Sequence, residues 1–149
     1  MKVVLQRVSS AQVVVGGELV GAVEEGLLAL VGLGHDDTQK DMDWMAKKMV
    51  HLRIFPDDEG KMNRSVLDIG GGILAVSQFT LLADCKKGRR PSFINAMHPD
   101  QADPMFNEFV GLLRGHGVPV QTGVFGADMD VTLCNRGPVT IILDSEIIR

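Results

Sequence analysis

The chain has 149 residues and a net charge of −4, with 45% hydrophobic and 23% charged residues. That length and composition suit one globular domain, 1–149, with room for a sizeable core. They exclude a general attraction to long nucleic acid, and no apolar run approaches the ~20 residues of a membrane span.

The first segment, "KVVLQRVSSAQVVV", is rich in Val and reads as a strand; "GG" at 16–17 turns it into "ELVGAV", a hairpin signal. "GLLALVGLG" at 26–34 is a continuous apolar run between glycines, as a buried strand would be. A first helix is predicted over about 38–52, capped by Thr38 with Asp41 at its third position. Its core stripe is Met42, Met45, Met49 and Leu52 at steps of three and four. "PDDEG" is a turn, and "GILAVSQFTLL" at 72–82 is a second buried strand. A second helix is predicted to start near Asp103-Pro104, with Met105, Phe106, Phe109, Leu112 and Leu113 facing inward and "GHG" at 115–117 ending it. "VPVQTGVF", "DMDVTLCN" and "PVTIILD" return to strand, the second with Met129, Val131 and Leu133 alternating with polar residues, so that one face is wet. The order β-rich, helix, strands, helix, strands implies a mixed α+β or α/β domain with a β-rich core and two main helices, not a doubly wound sheet.

The familiar catalytic patterns are absent: no GxSxG elbow, no HExxH, no P-loop, no dinucleotide fingerprint. His35, His51, His98 and His116 are scattered near loops and helix ends and read as surface residues. "DDE" at 57–59 lacks calcium-loop spacing, so no metal and no cofactor is expected. Cys85 and Cys134 lack CxxC spacing, and with no leader-like apolar stretch at the start the expectation is a cytoplasmic protein without disulfides.

Three stretches remain. "SQFT" at 77–80 puts polar residues at the end of a buried strand. They either alternate outward or bond to a neighbouring strand, or else form a pocket floor offering hydroxyls and free N–H groups. "KKGRR" at 86–90 is four cations in five residues, either a solvated loop or a phosphate contact. "NRGPVT" at 135–140 separates two strand-like runs with Gly137-Pro138, where a turn is the ordinary reading.

Taken with "QRV" near the start, "FPDDEGKMNRS", "KGRRPSF" and "TGVFGADMDVTLCNRGPVTIILDS", the pair "SQFTL" and "NRGPVT" resembles the signature of the D-aminoacyl-tRNA deacylases, in order along the whole chain. The resemblance implies hydrolysis of the ester between a D-amino acid and the terminal adenosine of tRNA. It implies a homodimer with active sites at the interface, and a cis Gly137–Pro138 bond reaching from one subunit into the partner pocket floored by "SQFT". The implied partner is the acceptor end of aminoacyl-tRNA, with no DNA and no membrane. Ser77 and Gln78 would orient the ester and ribose, while Phe79 and Thr80 would offer N–H groups to the oxyanion. Thr80 as a nucleophile is the rival, weakened by the lack of an obvious base. Gly137 and Pro138 would reject L-residues. Phe125 and Met129 would flank the adenine, or else belong to the core. Lys86, Lys87, Arg89 and Arg90 would meet acceptor-stem phosphates. Two other classes stay open on residues alone: a metabolite-binding dimer without catalysis, and a structural RNA-binding protein.

Overall fold

A computed structural model describes residues 1–149. Strand β1 (Lys2–Val15) is the spine. Gly16 and Gly17, both at positive φ, turn it into β2 (Glu18–Val23), as the Gly-Gly hairpin signal requires. β3 (Gly26–Gly32) then lies antiparallel to the first half of β1, pairing Lys2 with Gly32 through Val8 with Gly26. β6 (Gly72–Ser77) and β7 (Val120–Thr122) add in parallel, giving the order β2-β1-β3-β6-β7. β4 (Phe55–Pro56) and β5 (Met62–Arg64) form a separate small hairpin around the "PDDEG" turn. β8 (Asp130–Asp144) covers the other edge of β1 along almost its full length. The sheet curls: the Ala22 N–H donates to Gln121 Oε1 at 2.8 Å, linking β2 to β7.

Both helices pack on one face. α1 (Gln39–His51) presents Met42, Met45 and Met49, all buried, as the stripe anticipated. Thr38 caps it, its N–H and hydroxyl both donating to Asp41 at 2.8 and 2.9 Å. α2 (Pro99–Gly115) buries Phe106, Phe109 and Leu113. On β3 and β6, Leu27, Ala29, Val31, Ile73 and Ala75 point toward the helices. Leu28, Leu74 and Val76 point into a second cluster with Val8, Ala11 and Val13, closed by Met129, Val131 and Leu133 of the final segment. Covering both faces is why β3 and β6 read as unbroken apolar runs rather than alternating ones.

Three expectations need correction. α2 begins at Pro99, with His98 Nδ1 accepting from the Asp100 N–H, and not at Asp103-Pro104. Pro104 lies inside the helix. Its ring and missing N–H leave the carbonyl of exposed Asp100 to solvent, and the helix continues through it because Phe106, Phe109 and Leu113 pack on the core. The strand from Gly72 ends at Ser77, and residues Phe79–Leu82 wind into a 3₁₀ turn. "NRGPVT" is no link between two strands. It is an irregularity within β8, where Gln6 pairs with Thr140 and Val8 with Asn135, leaving Arg7 opposite residues 136 to 139. In addition, "VPVQTGVF" is strand only over Val120–Thr122, and the last strand starts at Asp130.

Candidate active site

At the end of β6, a cleft of about 660 Å3 opens between the 3₁₀ turn, the loop before α2 and the segment before β8. Its floor is Val76, Ser77, Gln78 and Phe79; Phe125, Met129 and Val131 line one side, and Phe93, Ile94, Met97 and His98 the other. The chain turns out of the sheet here because Gln78 donates its N–H to the Val31 carbonyl at 2.7 Å, the last link to β3. Beyond it, Phe79 and Thr80 open a 3₁₀ turn, and the first N–H groups of such a turn have no partner within it. The Gln78 amide donates to the Thr80 hydroxyl oxygen. Ser77 and Gln78 are half-buried, and Phe79 is 54% exposed. Phe79 is thus an open aromatic at the cleft rather than a core residue.

The opposite wall is a loop held at three points. Phe93 packs edge-on against Phe79, with ring centroids 5.0 Å apart. His35 Nε2 lies 2.6 Å from the Ile94 carbonyl and donates to it. The Met97 N–H donates to the Leu33 carbonyl at 2.9 Å. The basic run 86–90 is the exposed tip of the same loop, closed at its base by paired bonds between Asp84 and Ser92 of 2.8 and 2.9 Å. Lys86, Lys87, Arg89 and Arg90 are thus on the loop whose later residues form the cleft wall, and none of them lines the cleft itself. Phe125 and Met129 do double duty: both border the cleft, while Phe125 packs on the helix-side core and Met129 on the second cluster.

The Gly137–Pro138 bond is cis and exposed, and neither residue borders the cleft of its own chain. Its backbone is tied from beneath. Arg7 Nε donates to the Arg136 carbonyl at 2.9 Å and Nη1 to the Ile54 carbonyl at 2.7 Å. The Val139 N–H donates to Asn135 Oδ1 at 2.8 Å, and the Asn135 amide donates to the Thr140 hydroxyl at 3.0 Å. Gly137 sits at φ +137°, and a Cβ there would lie 2.8 Å from Val139 Cγ2 and 3.0 Å from Arg7 Nη2. Only glycine fits without moving these groups.

The structure thus gathers Ser77, Gln78, Phe79, Phe125 and Met129 around one cleft, with Thr80 bonded to Gln78 just outside, and leaves the four cations on the exposed tip of a loop whose later residues form one wall. It holds Gly137 and Pro138 apart. Sequence reasoning missed His35, Phe93, Ile94 and His98 as cleft residues. His35 and His98 are exposed, as a surface reading requires, yet both border the cleft. The available signal was "SFI" at 92–94, two large apolar residues in a polar loop just after the basic run. No group of three or more His, Cys, Asp and Glu side chains converges in metal-binding geometry.

The sequence matches the D-Tyr-tRNA(Tyr) deacylase family over residues 4–144. A protein of Thermomicrobium roseum named D-aminoacyl-tRNA deacylase is 58% identical over 149 residues, covering 100% of this chain and 97% of the relative. One of the same name from Thermus aquaticus is 56% identical over 145 residues, covering 97% and 95%. Among solved structures, one titled c-Myc DNA Unwinding Element Binding Protein superposes with a TM-score of 0.92 at 44% identity, covering 97% of this chain and 98% of that one. A probable eukaryotic D-amino acid tRNA deacylase shares the fold, with a TM-score of 0.78 at 18% identity over 95% and 97% of the two chains.

Proposed function

This chain belongs to the D-Tyr-tRNA(Tyr) deacylase family, and we propose that it hydrolyses the ester of D-aminoacyl-tRNA at the cleft floored by Ser77–Phe79. The observation that carries the reading is the cleft itself. It pairs a polar strand end and a turn with unpartnered N–H groups against aromatic and apolar walls, in a chain without a nucleophile–base dyad.

Such a site suits an ester that is already activated. Water attacks the carbonyl carbon, the oxyanion forms, and its collapse expels the ribose oxygen, releasing the D-amino acid and tRNA. The neighbouring ribose hydroxyl positions or activates the water, so the protein has chiefly to hold the ester and stabilise the oxyanion. The N–H groups of Phe79 and Thr80 are the donors for that charge; loss of one such donor typically costs ~3–4 kcal/mol. Ser77 and Gln78 orient ester and ribose, and Phe125 and Met129 flank the terminal adenine. Lys86, Lys87, Arg89 and Arg90 meet acceptor-stem phosphates. The Thr80 hydroxyl already takes a hydrogen bond from Gln78, which disfavours it as a nucleophile.

Selectivity comes from the Gly137–Pro138 segment of a second copy. A D- and an L-residue differ only in the direction of Cβ, so a rigid wall on the L side rejects what attraction to the amino group cannot. The bulge is exposed, backbone-anchored and remote from its own cleft, which is how an element serving the partner's cleft would look. The homodimer this requires has further support in the unpaired outer edge of β8, where Ile142 is 74% exposed. Glycine has no Cβ for the wall to meet, so glycyl-tRNA is a substrate too.

The test is loss of ester from D-tyrosyl-, L-tyrosyl- and glycyl-tRNA with purified protein. D-tyrosyl- and glycyl-tRNA are expected to be cleaved and L-tyrosyl-tRNA spared. No cleavage of any ester leaves a binding module. A glycyl rate no higher than the L rate removes the wall.

A further inference from the structure

α1 buries one face and shows solvent another of unusual composition. Lys40, Trp44, Lys47, Lys48 and His51 fall at i, i+4, i+7, i+8 and i+11, a single stripe opposite Met42, Met45 and Met49. With Leu52 and Arg53, four of these residues form a groove of about 570 Å3 that no acidic side chain lines. Lys47 and Lys48 have no carboxylate partner, in a protein whose net charge is −4. Lys48 Nζ stands 5.7 Å from the centre of the Trp44 ring. Arg53 spends Nε and Nη2 on Asn63, at 3.0 and 2.8 Å.

A purely structural account covers part of this stripe. Cations in the last turn, here Lys48 and His51, complement the helix dipole. Lys40 does not, because the first turn favours acids, and Lys47 is not needed. Trp44, the chain's single tryptophan, is half-buried: part of it packs on the helix-side core, and the rest is open on the face that carries the lysines. The position of the stripe is informative. His35, just before α1, borders the cleft, as does Pro99 at the start of α2. The far ends of the two helices meet, with the His51 and His116 rings 6.0 Å apart. The stripe therefore begins five residues after a residue that borders the cleft and leads away from that end of α1 for about 17 Å, at ~1.5 Å per residue.

We propose that this stripe is a track for the phosphate backbone of RNA whose end occupies the cleft, with Lys40, Lys47 and Lys48 on successive phosphates and Trp44 against a ribose or base between them. The choice of RNA rests on the proposed function; the polyanion-binding surface does not. An anionic membrane is the other polyanion a basic Trp-bearing helix could meet. It is disfavoured because the apolar face of α1 is wholly spent on the core and none remains for insertion.

The single tryptophan makes the test direct, since the protein has no tyrosine and its emission reports this groove. Uncharged tRNA is titrated at low salt, with free tryptophan as the absorbance control, and binding is followed in parallel on filters. Trp44 emission is expected to change with occupancy. In Lys47→Ala/Lys48→Ala, Kd is expected to rise roughly tenfold and the slope of log K against log salt to fall by about two. Hydrolysis of a D-aminoacyl ester on a short acceptor-stem fragment, too short to follow the track, is expected to be unchanged. Filter binding without any change in emission, or a double variant with wild-type affinity and slope, overturns the track. So does emission that moves with phosphatidylglycerol vesicles but not with tRNA. A protein that cleaves no ester yet shows the Trp44 response keeps the track and loses the hydrolase.

Discussion

Two polar clusters sit at opposite fates in this molecule. In one, Asp37, Asp41 and Ser145 are buried beneath Arg149, which bonds both carboxylates at 2.8 and 2.9 Å, while the Met1 ammonium pairs with Asp37 and the Ser145 hydroxyl donates to Asp41 at 2.6 Å. Burial alone would raise the Asp41 pKa, but the bonds from Ser145, Thr38 and Arg149 hold its carboxyl far below the ordinary range. In the other, Ser77 and Gln78 lie half-buried and open to a cleft. A perturbed titration is a common sign of a functional site. Here Asp41, Asp57, Asp68 and Arg149 are the perturbed groups, and all lie outside the cleft. The lesson is that polar groups which satisfy one another hold a fold together. Those left waiting in a concave site are available to a substrate, even without a strong acid or base among them.

If that contrast is right, damage to the first cluster moves stability and damage to the second moves chemistry. Asp41→Ala, which takes one of Arg149's two carboxylate partners and the acceptor of the Ser145 hydroxyl while Asp37 still holds Arg149, is expected to cost about 1–3 kcal/mol, read as a lower urea midpoint, with kcat/KM of the folded enzyme intact. Lost activity at unchanged stability would merge the two regions. On the cleft side, D-aminoacyl-tRNA ending in 2′-deoxyadenosine is expected to react roughly 10²–10³-fold more slowly, the scale of a lost acid–base group. Thr80→Ala should retain kcat within about tenfold; a collapse in the Thr80 variant with a normal deoxy substrate would make Thr80 the nucleophile.

Gly137→Ala forces a Cβ against Val139 and Arg7. D/L discrimination is expected to fall about tenfold or more with little change in the D rate, as measured by paired rate constants on the two tyrosyl esters. A variant that rejects L-residues as well as wild type would detach the bulge from selectivity. A subtler probe is pH. Because the folded-state pKa of Asp41 is lowered, its contribution is present above the ordinary value of 3.8 and is lost as pH falls below it. Urea midpoints should therefore drop in acid, and Asp41→Asn should flatten the drop; identical acid profiles would remove Asp41 as its cause. The smallest effect is expected from Lys86, Lys87, Arg89 and Arg90 changed to Ala: KM rises several-fold at low salt, while kcat and D/L discrimination stay put. An unchanged KM would return the loop to solvent.

Much of the architecture was legible from the chain because it is encoded by neighbours. The Gly-Gly hairpin, the Met stripe of α1 with its Thr38–Asp41 cap and the unbroken apolar runs of β3 and β6 follow from local periodicity and from the shortage of options at each position. "SQFT" and "NRGPVT" stood out through the family resemblance rather than through periodicity, and their shapes were not legible at all. What only the tertiary structure decided involves partners distant in sequence. α2 starts at Pro99 because Met97 is tied to Leu33 and His98 caps the helix, overriding the local preference for a start at Asp103. The strand at Gly72 stops at Ser77 once Gln78 makes its bond to Val31. Arg7, more than a hundred residues away, sets the bulge at Gly137–Pro138. His35, Phe93, Ile94 and His98 join the cleft only because two loops meet across it. Sequence patterns carry the energetics of adjacent residues, whereas the cleft is made by chain crossings whose entropic cost is met by contacts that no local window contains.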